Sequence, residues 1–133
     1  MKVLVDTSVW SLALRRKESS KDADVVKKLT RLIEDSMVVM IGPIRQELLS
    51  GISQETVFLD LKNKLEPFED MPISTCDYET AAQFHNLCRK SGIQGSHTDF
   101  LICAVAYNNN LLIFTTDEDF FHFAKLLPVR LFS

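Results

Sequence analysis

Apolar positions along this chain follow two rhythms. Short, mostly apolar runs at residues 2–5, 37–41 and 111–114 are rich in Val and Ile and too brief for a helix, so they read as buried strands. Between them the apolar residues recur at three and four positions. Residues 8–16 place Val9, Leu12 and Ala13 on one face, and residues 21–36 do the same with Val25, Val26, Leu29, Leu32 and Ile33. Gly42-Pro43 closes the second strand. Pro43 suits the first turn of a helix that continues through Leu49 and stops at Gly51. Residues 55–65 set Phe58, Leu61 and Leu65 in register. A helix capped by Thr75 or Asp77 runs to about Lys90, with Ala81, Phe84, His85 and Cys88 along its stripe. Residues 98–107 turn Leu101, Ala104 and Val105 inward until Asn108-Asn109-Asn110 ends the helix, since Asn tolerates a left-handed turn. A short Phe-rich helix covers 118–125. Residues 66–74 contain two prolines and suit a short edge strand, and 128–132 a last strand.

Strands alternating with helices predict an α/β fold. The expected architecture is a central parallel sheet of about five strands flanked by helices on both faces. With 133 residues, no repeat and no linker-like stretch, one domain over 1–133 is expected.

Four acids gain meaning from this layout. Asp6 directly follows Val3-Leu4-Val5, and Asp117 follows Leu111-Leu112-Ile113-Phe114 with only Thr115-Thr116 between. In open parallel sheets the ligand crevice lies beyond the carboxyl ends of the strands. Glu47 and Asp99 fall on helices that the same fold carries to that rim. Gathered carboxylates repel unless a cation neutralises them, and Mg²⁺ or Mn²⁺ suits all-oxygen ligands. Taken singly, Asp6, Asp99 and Asp117 also fit helix caps, and Glu47 fits a solvated helix residue.

Charge and composition narrow the classes. Net charge is −3, from 15 basic and 18 acidic residues, which excludes nucleic-acid binding by bulk charge alone. Three cysteines without a C-x-x-C support neither a zinc knuckle nor a disulfide framework, and suit buried thiols in a reducing cytoplasm. The chain opens on a strand pattern rather than a signal peptide, and no apolar run reaches membrane-spanning length, so a cytoplasmic protein without a membrane partner is expected. No Walker loop or G-x-G-x-x-G occurs. Arg15, Arg16, Lys17 and Lys21 form a basic cluster that fits a solvated helix end or an RNA guide. His97 stands two residues before Asp99 and reads as a loop histidine. His85 and Cys88 read as core, and His122 as packing for the last helix or a dimer contact. Gly92-Ile93-Gln94-Gly95 reads as a turn.

Several stretches resemble one family. Val5-Asp6-Thr7-Ser8-Val9-Trp10 looks like the opening of PIN-domain nucleases. Glu47-Leu48-Leu49-Ser50-Gly51 is similar to their second motif, Thr98-Asp99-Phe100-Leu101-Ile102-Cys103-Ala104 to the third, and Thr115-Thr116-Asp117-Glu118-Asp119-Phe120 to the fourth. Together the four resemble a VapC-type toxin of a VapBC toxin–antitoxin pair. The resemblance implies a PIN-like three-layer sandwich and a metal-dependent endoribonuclease using Mg²⁺ or Mn²⁺. It makes Asp6, Asp99 and Asp117 metal-binding or site-assembling acids. Glu47 matches the acid that holds or orients the attacking water. Asp119 matches a second acid of variable involvement, and Thr7 and Thr115 match supporting hydroxyls. It further implies an RNA substrate, often tRNA, a cognate antitoxin protein and a homodimer. Two other readings stay open: a non-catalytic PIN-like module that binds RNA or protein, and a phosphoacceptor signalling domain. The last lacks its acidic pair after the first strand and its late lysine.

Overall fold

The computed structural model describes residues 1–14 and 22–133. Its centre is β1 (Val3–Val5), paired in parallel with β2 (Val38–Val39) on one side and β3 (Leu112–Phe114) on the other. Val3 faces Val38 and Leu112, and Leu4 faces Val39 and Ile113. Val3, Leu4 and Val5 are all buried. A strand buried on both faces needs cover from both sides, and parallel pairing supplies it through crossover helices. These are α1 (Thr7–Ala13), α2 (Ala23–Glu34), α3 (Gly42–Leu49), α4 (Glu55–Leu65), α5 (Thr75–Lys90) and α6 (His97–Asn108), followed after β3 by α7 (Asp119–Leu126).

The order β2-β1-β3 has a direct consequence for the site. The chain leaves β1 toward β2, then crosses back past β1 to reach β3. The carboxyl ends of β1 and β3 therefore flank a topological switch point, where open sheets form their crevice.

The sheet is narrower than the apolar pattern predicts. Among the described residues the two expected outer strands shrink to single parallel bridges, Met40 with Asp70 and Ile113 with Leu131. Pro67, Pro72 and Pro128 lack the N–H a ladder needs. In addition, the carbonyl of Phe68 is taken by the Arg45 guanidinium, which also bonds Leu65 O and Asp70. The layer order survives, because each bridge sits on the outer side of its neighbouring strand.

The start of α5 also differs. Neither Thr75 nor Asp77 is the cap. Ser74 is, with its hydroxyl accepting from Asp77 N–H and the Asp77 carboxylate accepting from Ser74 N–H. This reciprocal box satisfies two donors the first turn leaves open. Ser96 and Asp99 repeat it at the start of α6. At the other end of α6, Asn110 takes the left-handed conformation at φ 55°. The inward face expected for α6 widens to its whole girth: every residue from Phe100 to Ala106 is buried, because α5 packs along α6 on the side away from the sheet. Of the cysteines, Cys88 and Cys103 are buried and Cys76 is exposed, so only two fit the buried-thiol expectation.

Candidate active site

Each of the four predicted acids arrives by a different route. Asp6 is the residue after β1, and its N–H donates to Phe114 O at 2.9 Å, which ties the ends of β1 and β3 together. Asp117 closes the turn after β3. Glu47 lies on α3, which begins just past the carboxyl end of β2. Asp99 stands in the first turn of α6. That helix runs back into β3 through a short turn, so its start lies at β3's carboxyl edge. Parallel strands thus deliver all four to one rim.

Hydroxyls organise the switch point. Ser8 Oγ and Thr115 Oγ1 both donate to Asp6 Oδ2, at 2.8 and 2.9 Å. Ser8 Oγ in turn accepts from Thr116 N–H at 3.0 Å, and Thr115 Oγ1 accepts from Asp117 N–H at 3.0 Å. Asp117 Oδ1 accepts from Asp119 N–H at 3.0 Å, which folds the turn into α7. Asp6 occupies the N-cap position of α1 yet makes no side-chain cap bond. The plain capping role is thereby excluded for Asp6. Among the described residues its Oδ1 takes no hydrogen bond, so one oxygen is anchored and the other is left for a ligand. Asp99 does cap, through Oδ2 and Ser96, and its other oxygen remains outside the box.

The acids feel one another. Glu47 is largely exposed, but partial burial of its carboxyl, then the charges of Asp6 and Asp99, push its pKa upward; Thr7 beside it offsets part of the rise. Asp99 is pushed up first by burial, and further by Asp117 and Asp6, against the lowering effect of its bonds with Ser96. Cys103 lies one turn below Asp99, and burial, Asp99, Cys88 and Asp6 all hold its thiol un-ionised. Like charges within reach of each other favour protonation unless a cation intervenes. The ion pairs among the described residues are Lys28–Asp24, Arg45–Asp70 and Lys64–Asp60, none of them at this rim.

The donor set suits a hard divalent cation: carboxylate and hydroxyl oxygens with no soft ligand. Thr7 Oγ1 is buried at the same rim beside Glu47, whose carboxyl it helps to keep ionised. No three described His, Cys, Asp or Glu side chains are drawn into a ready-made metal cage. The acids stand near enough to perturb one another without being that close.

Other predicted residues fall elsewhere. Asp119 joins through its backbone N–H, while its side chain is exposed. Thr7 lies at the rim but forms no bond to Asp6. Ser8 does so instead, and the sequence reading passed over it although it sits in the same Asp-Thr-Ser run. An i+2 hydroxyl after Asp was the available signal. Arg45 points away from the rim. The cluster of Arg15, Arg16, Lys17 and Lys21 lies outside the described residues. His85 is not core: it is half-buried and stacks on His97 at the surface. Phe120 and Phe123 pack inward, while Phe121 and His122 are exposed.

Comparison with known proteins agrees with this fold. The family description PIN domain matches residues 3–126. No curated protein sequence matches. Among solved structures, FitAcB from Neisseria gonorrhoeae aligns with a TM-score of 0.79 at 25% identity, over 98% of this chain and 96% of that one. VapBC2 from Rickettsia felis, bound to a DNA fragment from its promoter, aligns with a TM-score of 0.77 at 17% identity, over 99% and 98%. DNA-bound VapBC from Salmonella typhimurium aligns with a TM-score of 0.73 at 14% identity, over 99% and 97%. The latter two share the fold. With the match spanning nearly the whole chain and all four acids at the switch-point rim, this protein belongs to the PIN-domain family.

Proposed function

We propose that the chain is a divalent-metal-dependent endoribonuclease and the toxin half of a type II toxin–antitoxin pair. One observation carries the reading: four carboxylates from four separate elements share one rim, the pKa values of Glu47 and Asp99 are raised by burial and by the neighbouring acids, and no cationic side chain is paired with any of the four among the described residues. Asp6, Asp99 and Asp117, with Glu47, would hold Mg²⁺ or Mn²⁺. The bound ion supplies a more acidic water and relief of negative charge on the phosphoryl oxygens.

The protein's own groups complete the chemistry. Asp6 presents Oδ1 while Ser8 and Thr115 hold Oδ2, so one geometry is presented without further ordering. Glu47 would take a proton from the attacking water. Water oxygen bonds to phosphorus, the bond from phosphorus to the 3′ oxygen breaks, and that oxygen takes up a proton. The products are a 5′-phosphate and a 3′-hydroxyl. Structured cellular RNA, tRNA among it, is the proposed substrate class. A cognate antitoxin is the proposed partner, supported by the likeness to FitAcB, and a homodimer is proposed with it from the family resemblance. A cytoplasmic location goes with this reading. Among the described residues no helix is long and apolar enough to cross a membrane.

A second reading has its own support. Asp99 spends one oxygen on a capping box, and no ready-made metal cage forms among the described residues, as a non-catalytic RNA- or protein-binding PIN module would allow. The deciding experiment incubates purified, antitoxin-free protein with total RNA and Mn²⁺ or Mg²⁺, beside Asp6→Asn protein and an EDTA control. Metal-dependent cutting lost in the variant is the expected result. A folded protein that cuts nothing overturns the nuclease reading and leaves the binding module.

A further inference from the structure

A second feature lies beside the acid rim and is its chemical opposite. A cavity of about 560 Å³ opens between α5 and the start of α6, lined in part by Pro43, Tyr78, His85, His97, Thr98 and Phe100. A smaller one of about 240 Å³ continues from it, lined by Arg89, Gln94 and Gly95 and sharing His85 and Phe100 with the first. The two form one groove with His85 and Phe100 at its middle.

One end of the groove is lined by residues that adjoin two of the acids. Thr98 immediately precedes Asp99, and Pro43 lies one helical turn before Glu47 on the same face of α3. The far end carries Arg89, which is exposed. Among the described residues no Asp or Glu lines either cavity, although acidic residues outnumber basic ones in the chain. Instead the lining combines ring faces and small aliphatic side chains, Ala81, Ala82 and Leu101 among them, with neutral or cationic polar groups. His85 and His97 stack with ring centres 5.6 Å apart and planes 19° apart, and Phe100 meets His85 edge-on at 5.3 Å. The floor is held firm. Phe100 packs on Phe123 at 5.0 Å, and Gly95 allows both rings to lie against the backbone, since a Cβ there would stand 2.6 Å from the Phe123 ring.

Resting on the endoribonuclease reading, we propose that this groove is the track for an unpaired stretch of RNA leading away from the scissile phosphate. Bases stack on the His97–His85 platform, and Arg89 pairs with a backbone phosphate. Aromatic and imidazole faces accept any base, because every base has a π-face, and a carboxylate-free lining spares the phosphates repulsion. Thr98, Asn86 and Gln94 supply hydrogen-bonding groups at its edges.

The test uses full-length Asp6→Asn protein, silenced for cutting, and a fluorescent single-stranded RNA oligonucleotide. The His85→Ala/His97→Ala pair should weaken binding about tenfold or more, the effect of losing a base stack. His97→Phe, which keeps a ring face, should restore much of it. Arg89→Ala should flatten the dependence of log affinity on log salt by about 0.7, one phosphate on a single strand. An oligonucleotide with abasic sites should lose sensitivity to the histidine pair but keep it for Arg89. Cleavage by the same substitutions in the unsilenced protein, read in parallel, separates the two ideas. If the histidine and arginine variants bind and cut like the parent, the track is overturned and the nuclease reading stands. If the parent neither binds nor cuts RNA, both fall. If the histidine pair changes only the oligomeric state in light scattering, with RNA affinity intact, the face belongs to a second copy of the chain and the track is overturned.

Discussion

Two aspartates in this protein are buried, Asp6 at 6% exposure and Asp77 at 3%, and they serve opposite ends. Asp77 spends both oxygens on its own protein. Oδ2 accepts from Ser74 N–H at 2.9 Å, and Oδ1 accepts from Asn108 Nδ2 at 2.8 Å, which ties the start of α5 to the end of α6. Asp6 receives two hydroxyls on the single atom Oδ2 and takes no hydrogen bond on the other oxygen among the described residues, while its charge raises the pKa values of Glu47 and Asp99. Burial alone therefore does not distinguish a structural carboxylate from a working one. The distribution of its hydrogen bonds does. A carboxylate satisfied on both oxygens lowers the energy of the fold, while one satisfied on a single oxygen among like charges holds a site ready at some cost to the fold.

The contrast can be broken at either aspartate. The largest effect is expected from Asp6→Asn, which keeps the shape and removes the charge. RNA cleavage should fall about 1000-fold, comparable to losing one preorganised electrostatic group, with the far-ultraviolet spectrum unchanged. Asp77→Asn in the same assay should leave cleavage per folded molecule at the parent level. Equal losses in both would erase the distinction.

Next in size is Thr115→Val, which removes one of the two hydroxyls on Asp6 Oδ2 and keeps the volume. Metal affinity, read by Mn²⁺ titration, and cleavage should each drop about 10- to 100-fold, as for residues that orient a ligand. Ser8→Ala should act in the same direction. Loss of the melting transition with metal affinity unchanged would make these hydroxyls structural.

On the stability side, Asn108→Ala leaves Asp77 Oδ1 buried without its donor. A loss of about 1–3 kcal/mol is expected in urea unfolding, with cleavage per folded molecule retained. A smaller loss would mean that Thr80 and Cys76, which share the Asn108 amide, do not depend on it for order.

The smallest effect concerns pH. Glu47 and Asp99 have folded pKa values above their ordinary ones, so the folded state binds protons more tightly there than the unfolded chain. The cost of burying these charges, and of their repulsion, is absent below the ordinary carboxylate range and complete above the raised values. Metal-free protein should lose stability as pH rises through that window. Glu47→Gln should flatten the fall and stabilise the metal-free protein at neutral pH by under about 1 kcal/mol, since the group is largely exposed. Mg²⁺ should raise the melting temperature of the parent and not of Asp6→Asn. A steeper fall in the Gln variant would contradict the shared field.

Much of this was legible in the residues. The apolar rhythm located every helix to within a few positions and the three paired strands. Asp directly after a β-branched run marked the carboxyl edge, and four spaced motifs pointed to one family. Local chemistry suffices for these features, because periodicity and capping act over a few neighbours. Other features escaped it. The edge strands shrank to single bridges because prolines and the Arg45 guanidinium removed ladder groups. Ser8, rather than Thr7, was the hydroxyl bound to Asp6.

What the chain determined by itself was the order of elements and the placing of acids at their ends, since strand and helix follow from patterns only a few residues long. Only the tertiary structure decided which oxygen of Asp6 is anchored, because Thr115 reaches it across 109 positions. It also decided that Asp77 is satisfied by Asn108 from the far end of another helix, and that His85, on a stripe that reads as core, lies in a groove beside the acids. Hydrogen bonds are short and directional, so their partners exist only once the sheet and helices have set the distances.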